Sequence, residues 1–166
     1  MTEEGKDIGI RNDLRPGDLG AIIRLHGVWY AAEYGLDHTF EPYVAVPLSE
    51  FVLRADPRER IWIATREGRV GGSVAIVAAS DGEAQLRWLL LEPPLRGRGL
   101  GHRLVGEALA FCRRSGYESV FLWTLGHLEK ALGIYRSYGF RVSQRQTHRL
   151  WGQELTEERH VLELKI

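Results

Sequence analysis

Leu91-Glu-Pro-Pro-Leu-Arg-Gly-Arg-Gly-Leu-Gly-His102 is the stretch on which the reading of this chain turns. An apolar run, Trp88-Leu-Leu-Leu91, ends at Pro93-Pro94, and a loop holding Gly97, Gly99 and Gly101 then opens a helical pattern. Glycine lets a backbone turn tightly and lets a ligand approach its amides. The first amides of a helix lack internal partners and lie at the positive end of its dipole, so such a turn is a phosphate site. Arg96, Arg98 and Arg103 add cationic side chains. A Walker loop needs Gly-Lys-Ser/Thr, which is absent, and a G-x-G-x-x-G fingerprint needs glycine where His102 stands. A turn with surface arginines is the plain alternative.

Outward from this turn the chain alternates strands and helices. Lys6–Asn12 reads as a short strand. Arg15-Pro-Gly-Asp18 reads as a turn with Asp18 as helix cap, and Leu19, Ile22, Ile23, His26 and Tyr30 then recur at helical spacing up to Gly35. Asp37–Pro47 reads as a loop with buried Phe40 and Tyr43, and Leu48–Ala55 as a short helix. Strands are predicted over Ile61–Arg66, Val70–Ala79 and Ala84–Glu92, with turns at Glu67-Gly68 and Ser80–Gly82. The continuous apolar end of the third argues burial on both faces. A helix over Leu100–Ser115, a strand over Ser119–Thr124, a helix over His127–Tyr138 and strands over Phe140–Trp151 and His160–Ile166 complete one mixed α/β domain.

The 166 residues fit one domain, able to bury about 68–70% of its unfolded surface. Lys plus Arg and Asp plus Glu are 22 each, which argues against nucleic-acid binding by bulk charge. No apolar run approaches the roughly 18 residues of a membrane span, and Met1–Arg11 has no signal-peptide core. One cysteine, Cys112, allows no internal disulfide and fits a reducing cytoplasm. The six histidines form no H-E-x-x-H pair, so no metal is expected. Cys112 and His26 both fall on apolar helix stripes and read as core residues.

Arg96-x-x-Gly99-x-Gly101 resembles the R/Q-x-x-G-x-G/A signature of the GNAT superfamily of N-acyltransferases. Ala131, Ile134, Tyr135, Gly139 and Phe140 match that family's N-x-x-A-x-x-φ-Y-x-x-x-G-F segment, with Leu128 where asparagine usually stands. The resemblance spans nearly the whole chain, residues 1–166. Thr147–Gly152, with an acidic loop over Glu154–Glu158, looks like the acetyltransferase half fused to MarR-type regulators, although no helix-turn-helix fits in the first 50 residues.

The resemblance implies a mostly antiparallel central sheet of six to seven strands with flanking helices and splayed central strands. It implies acetyl-CoA as cosubstrate, held by Arg96, Gly97, Arg98, Gly99, Leu100, Gly101 and Ala131 and by the backbone of Leu89, Leu90 and Leu91. The splayed partner strand would be Val120–Thr124. A strand amide would polarise the thioester carbonyl, a donor of the kind worth about 2.7–4 kcal/mol in the transition state. Tyr135 matches the general acid for the departing thiolate. The implied reaction is direct acetyl transfer in a ternary complex to a small-molecule or peptide amine, by a homodimer. A non-catalytic acyl-CoA sensor on the same fold is the rival. The base is open among Glu33, Glu41, Glu92 and His148. Gln85 stands where some members carry a strand glutamate.

Overall fold

The computed structural model describes residues 7–164. Seven strands form one sheet: β1 (Ile8–Arg11), β2 (Arg60–Arg66), β3 (Arg69–Ala78), β4 (Glu83–Leu91), β5 (Ser119–Leu125), β6 (Arg141–Leu150) and β7 (Gln153–Glu163). Their spatial order is β1-β2-β3-β4-β5-β7-β6. Every neighbouring pair is antiparallel except β4–β5. That parallel pair is joined by the helix α3 (Leu100–Arg114), as a crossover between parallel strands requires. Helices α1 (Asp18–Tyr34) and α2 (Phe40–Arg54) lie between β1 and β2 in the chain, and α4 (Glu129–Ser137) between β5 and β6. This is the mixed, mostly antiparallel architecture expected.

Each sheet face carries its own apolar cluster. Trp62, Val74, Leu86, Leu104, Ala108, Phe111, Leu122 and Leu132 pack between one face and α3 and α4. Ile22, Phe40, Val44, Leu48, Phe51, Ile63, Ala75, Trp88 and Leu155 pack between the other face and α1 and α2.

β4 and β5 pair only at Glu83–Ser119, Ala84–Val120 and Gln85–Phe121. Beyond those rungs the strands part, and Leu86–Leu91 has no partner on that side. Opposite β3, β4 carries a bulge: Ser73 pairs with Leu90 but Ala75 with Arg87. Trp88 sits there at φ +54, and the Ser73 hydroxyl donates to its carbonyl at 2.7 Å. An inserted residue reverses which face the following side chains take. Leu86 and Trp88, two apart, therefore enter opposite clusters. The apolar run Trp88–Leu91 comes from this bulge rather than from a plain strand covered on both sides.

Three local expectations are corrected. The expected loop Asp37–Pro47 is mostly helix: α2 starts at Phe40 and runs through Pro47. Phe40, Val44, Leu48 and Phe51 form its buried stripe, whereas Tyr43 is 46% exposed. Pro42 falls in the first turn, where a missing N–H costs nothing; Pro47 removes the bond to the Tyr43 carbonyl. The expected acidic loop Glu154–Glu158 belongs to β7, entered from β6 through Trp151 and Gly152, both at positive φ. Glu158 is buried there, bound by Arg145 and His160. Asp18 is not the cap of α1. Gly17 holds that position, and Asp18 instead takes two bonds from Arg11 and one from the Arg15 amide. Lys6, Lys165 and Ile166 of the expected end strands lie outside the described residues.

Candidate active site

The chain leaves β4 through a 3-10 turn, Pro93–Leu95, anchored by fully buried Leu95. Gly97 and Gly99 follow at φ +75 and +76, a region that penalises any side chain. Gly99 is the N-cap of α3 and makes no side-chain cap bond. The first intrahelical bond runs from the Arg103 amide to the Gly99 carbonyl, leaving the amides of Leu100, Gly101 and His102 open. A Cβ on Gly101 would come within 2.9 Å of Ile134 Cδ1, so glycine sets how closely α3 approaches α4.

Arg96 is the strut of this turn. Its Nε donates to the Leu91 carbonyl at 2.8 Å, and its two terminal nitrogens donate to the Glu33 carboxylate at 2.7 and 2.5 Å. The pair holds Glu33 below the usual carboxylate range, mainly through the hydrogen bonds from Arg96. Glu33 is therefore unsuited to be a base.

A cavity of about 460 Å³ runs along the turn. Leu89, Leu90, Leu91, Arg96, Gly97, Gly99, Leu100, Gly101 and Ala131 line it, together with Tyr30, Glu33, Tyr34, His102, His127, Leu128, Glu129, Lys130 and Ile134. Arg98 lies outside that lining, exposed, with its Nε on the Pro94 carbonyl at 3.2 Å.

A second, smaller cavity of about 110 Å³ occupies the parting of β4 and β5. Tyr30, Leu89, Leu128 and Ala131 line both cavities. Tyr135 lines the smaller one. It is 5% exposed, edge-on to Phe140 with centroids 5.8 Å apart. Burial pushes its phenol well above the ordinary range, so it keeps its proton.

The small cavity also holds residues that the sequence does not bring together. His26 donates from Nδ1 to the Ile22 carbonyl at 2.8 Å, and its Nε2 is buried without a partner among the described residues. Burial lowers its pKa to about 4. Trp88 Nε1 is likewise buried and unpartnered. Arg87 and Glu157 line the same space. Glu157 accepts from His148 Nε2 at 2.7 Å, so His148 reaches the cavity only through it. Helical spacing does reveal the stripe bearing His26; Glu157 reads in the sequence as part of a solvated acidic loop, with attraction of a cationic amine as a lesser role for the cluster Glu154, Glu157, Glu158. Glu92 sits 3.4 Å from Arg66 at the far edge of the turn, and Glu41 packs against Gly27. Neither lines either cavity.

Burial raises the Cys112 thiol to about 12, an inert core position. Among the described residues, no three His, Cys, Asp or Glu side chains are placed to hold a metal ion. Among them, too, no helix is long and apolar enough to cross a membrane.

The model of the Acetyltransferase (GNAT) family matches residues 27–140. An uncharacterised N-acetyltransferase of Schizosaccharomyces pombe is 31% identical over 122 residues, 72% of this chain and 74% of that protein. The uncharacterised N-acetyltransferase YjgM of Escherichia coli is 31% identical over 115 residues, 66% of this chain and 69% of its own. Among solved structures, an acetyltransferase from Streptococcus agalactiae superposes with a TM-score of 0.77 at 21% identity, covering 96% of this chain and 99% of that one. A putative acetyltransferase from Salmonella typhimurium, solved with acetyl-CoA, gives 0.77 at 16% identity, covering 96% and 95%. At such identities these structures speak to the fold.

Proposed function

The chain belongs to the Acetyltransferase (GNAT) family, and from that premise we propose that it moves an acetyl group from acetyl-CoA to a primary amine by direct transfer in a ternary complex. The observation that carries the proposal is the meeting of two cavities at Tyr30, Leu89, Leu128 and Ala131, where β4 and β5 part. A pyrophosphate fits the open amides of α3, and a pantetheine arm fits the unpaired edge of β4 in place of a missing strand. The amine enters from the small cavity, and its nitrogen attacks the thioester carbon. The C–S bond breaks as the N–C bond forms. A β4 amide near Leu89 steadies the developing oxyanion. The Tyr135 phenol protonates the leaving thiolate, and the amine's proton passes to a base on the small-cavity side.

Residues 1–166 are read as one such domain acting in the cytoplasm, where a single buried cysteine is unremarkable. A homodimer is the proposed assembly: β6 is the outer strand of the sheet and exposed over most of its length, and such edges invite pairing.

The test is an acceptor screen with acetyl-CoA that detects released thiol. Amine-dependent thiol release is expected. Tight acetyl-CoA binding with no acceptor used would favour the sensor reading, to which Leu128 in place of a polar residue lends weight.

A further inference from the structure

The small cavity is chemically asymmetric: among the described residues its wall carries a cation with no carboxylate partner, a carboxylate bound by His148, and two ring nitrogens buried without a hydrogen-bond partner. Arg87 carries a fixed charge, and burial works against that charge. Among the described residues it belongs to no ion pair; its guanidinium lies 4.9 Å from the Trp88 ring centroid, with the Tyr43 hydroxyl beside it. Tyr43 supports the charge through its hydroxyl; Arg54 opposes it and Glu50 supports it. Trp88 Nε1–H is a buried donor with nothing to donate to. The cavity also holds two acceptors. One is bare His26 Nε2, fixed in that tautomer by the Nδ1 bond to Ile22. The other is the Glu157 carboxylate, 15% exposed.

Of these, Arg87 and Glu157 are the groups open to the cavity, and a cation and a carboxylate on one wall call for a ligand that carries both an anion and a protonated amine. Building on the transfer reading above, we propose that the acceptor is a small zwitterion, a free amino acid or close analogue. Its carboxylate binds Arg87 beside the Trp88 ring, and its amino group faces Glu157.

Size agrees with this class. At about 110 Å³ the cavity is far below the roughly 300–1,000 Å³ of sites for larger ligands. Tyr30, Phe40, Tyr43 and Trp151 form its aromatic wall, with Phe40 and Trp151 edge-on at 4.9 Å. That wall suits an apolar side chain. A lysine side chain or a peptide N-terminus brings no carboxylate beside its amine and would leave Arg87 desolvated without a counter-charge, the costlier outcome. The protons balance: the ammonium gives one to Glu157, which His148 links to the surface; the free amine attacks, and the second proton it loses as the amide forms replaces the one Tyr135 gives the thiolate, so one proton leaves overall.

The experiment measures thiol release from acetyl-CoA with free L-amino acids, their primary amides and spermidine as acceptors. Wild type, Arg87→Met and Arg87→Lys are compared, with calorimetric acetyl-CoA affinity as the control for folding. Acids are expected to exceed their amides by about tenfold or more in kcat/KM. Arg87→Met should raise the acid's KM about 30-fold or more, leave acetyl-CoA affinity unchanged and erase the preference over the amide. Arg87→Lys should restore part of it. Amides or spermidine used as well as acids, or an unchanged KM in Arg87→Met, overturns the zwitterion while transfer itself stands. No amino acid used by a protein that binds acetyl-CoA overturns it too. Failure to bind acetyl-CoA at all removes the transfer reading and this inference with it.

Discussion

Arg96 and Glu33 face each other across two charge-assisted hydrogen bonds, of 2.7 and 2.5 Å, that tie the start of the glycine turn to α1. The arginine that opens the motif is thus committed to a carboxylate and to the Leu91 carbonyl rather than left free for phosphate. Arg96→Gln is expected to release the turn and weaken acetyl-CoA about tenfold or more. Glu33→Gln removes a negative charge beside an anion site and should not weaken it. Calorimetric titration of both variants decides: equal losses would make the ion pair itself the requirement.

Gly99 and Gly101 should fail for different reasons. A Cβ on Gly99 meets nothing within 4 Å, but φ +76 strains any other residue. Gly99→Ala should cost about 1–2 kcal/mol, or about 2–8 °C in Tm. Gly101→Val instead drives into Ile134 and crowds the α3 amides, so acetyl-CoA binding should fall steeply. Calorimetry and thermal melts on the two variants separate strain from occlusion; intact binding in Gly101→Val would remove this turn as the pyrophosphate site.

Tyr135→Phe keeps the ring against Phe140 and deletes a hydroxyl that has no partner among the described residues. kcat should drop by about 10²–10⁴-fold with Tm and acetyl-CoA affinity nearly unchanged. A kcat within about twofold of wild type would reduce Tyr135 to packing. A collapse in Tm would show that the hydroxyl is structural.

His26 predicts a pH signature in stability. Its pKa falls from 6.5 to about 4 because burial disfavours the imidazolium. Between those values the unfolded chain holds a proton that the folded chain excludes, so stability rises with pH across the window and is lost as pH falls through it. The loss amounts to about 3 kcal/mol by pH 4. Denaturant titrations from pH 7 to 4 should show this slope, and His26→Phe should flatten it. An equal slope in the variant would assign it to other groups.

The sequence disclosed the sheet, the crossover and the turn because their signals are local: three glycines between a strand and a helix, and β alternation on either side. It disclosed most of the expected lining of the larger cavity for the same reason, since Leu89–Leu91, Gly97, Gly99, Leu100, Gly101 and Ala131 sit on two short segments; Arg98 falls outside it. Only the second half of α2 was legible, as the helix expected over Leu48–Ala55; its first half holds Pro42 and Pro47, although one falls in the first turn and the stripe Phe40, Val44, Leu48, Phe51 was present in the letters. The small cavity was lost for a different reason. Its polar groups come from α1, β4 and β7, and only the sheet order brings Arg87 and Glu157 to one face. Nor does alternation foretell a bulge at Trp88, which a hydroxyl 15 residues earlier in the chain, on Ser73 of the neighbouring strand, helps to fix.

The three rungs joining β4 to β5 act like the spine of a book. Four strands form one leaf and three the other, and along most of the spine no backbone bond crosses between them. Without ligand, amide exchange should be fast at Leu89 and Leu91 and along the facing edge of β5, while β2 and β3 stay protected. A molecule lying in the gap stitches the leaves together. Acetyl-CoA should therefore slow exchange on both facing edges at once and raise the melting temperature with ligand concentration, as mass action requires. The binding partner of this sheet is then also its missing rung.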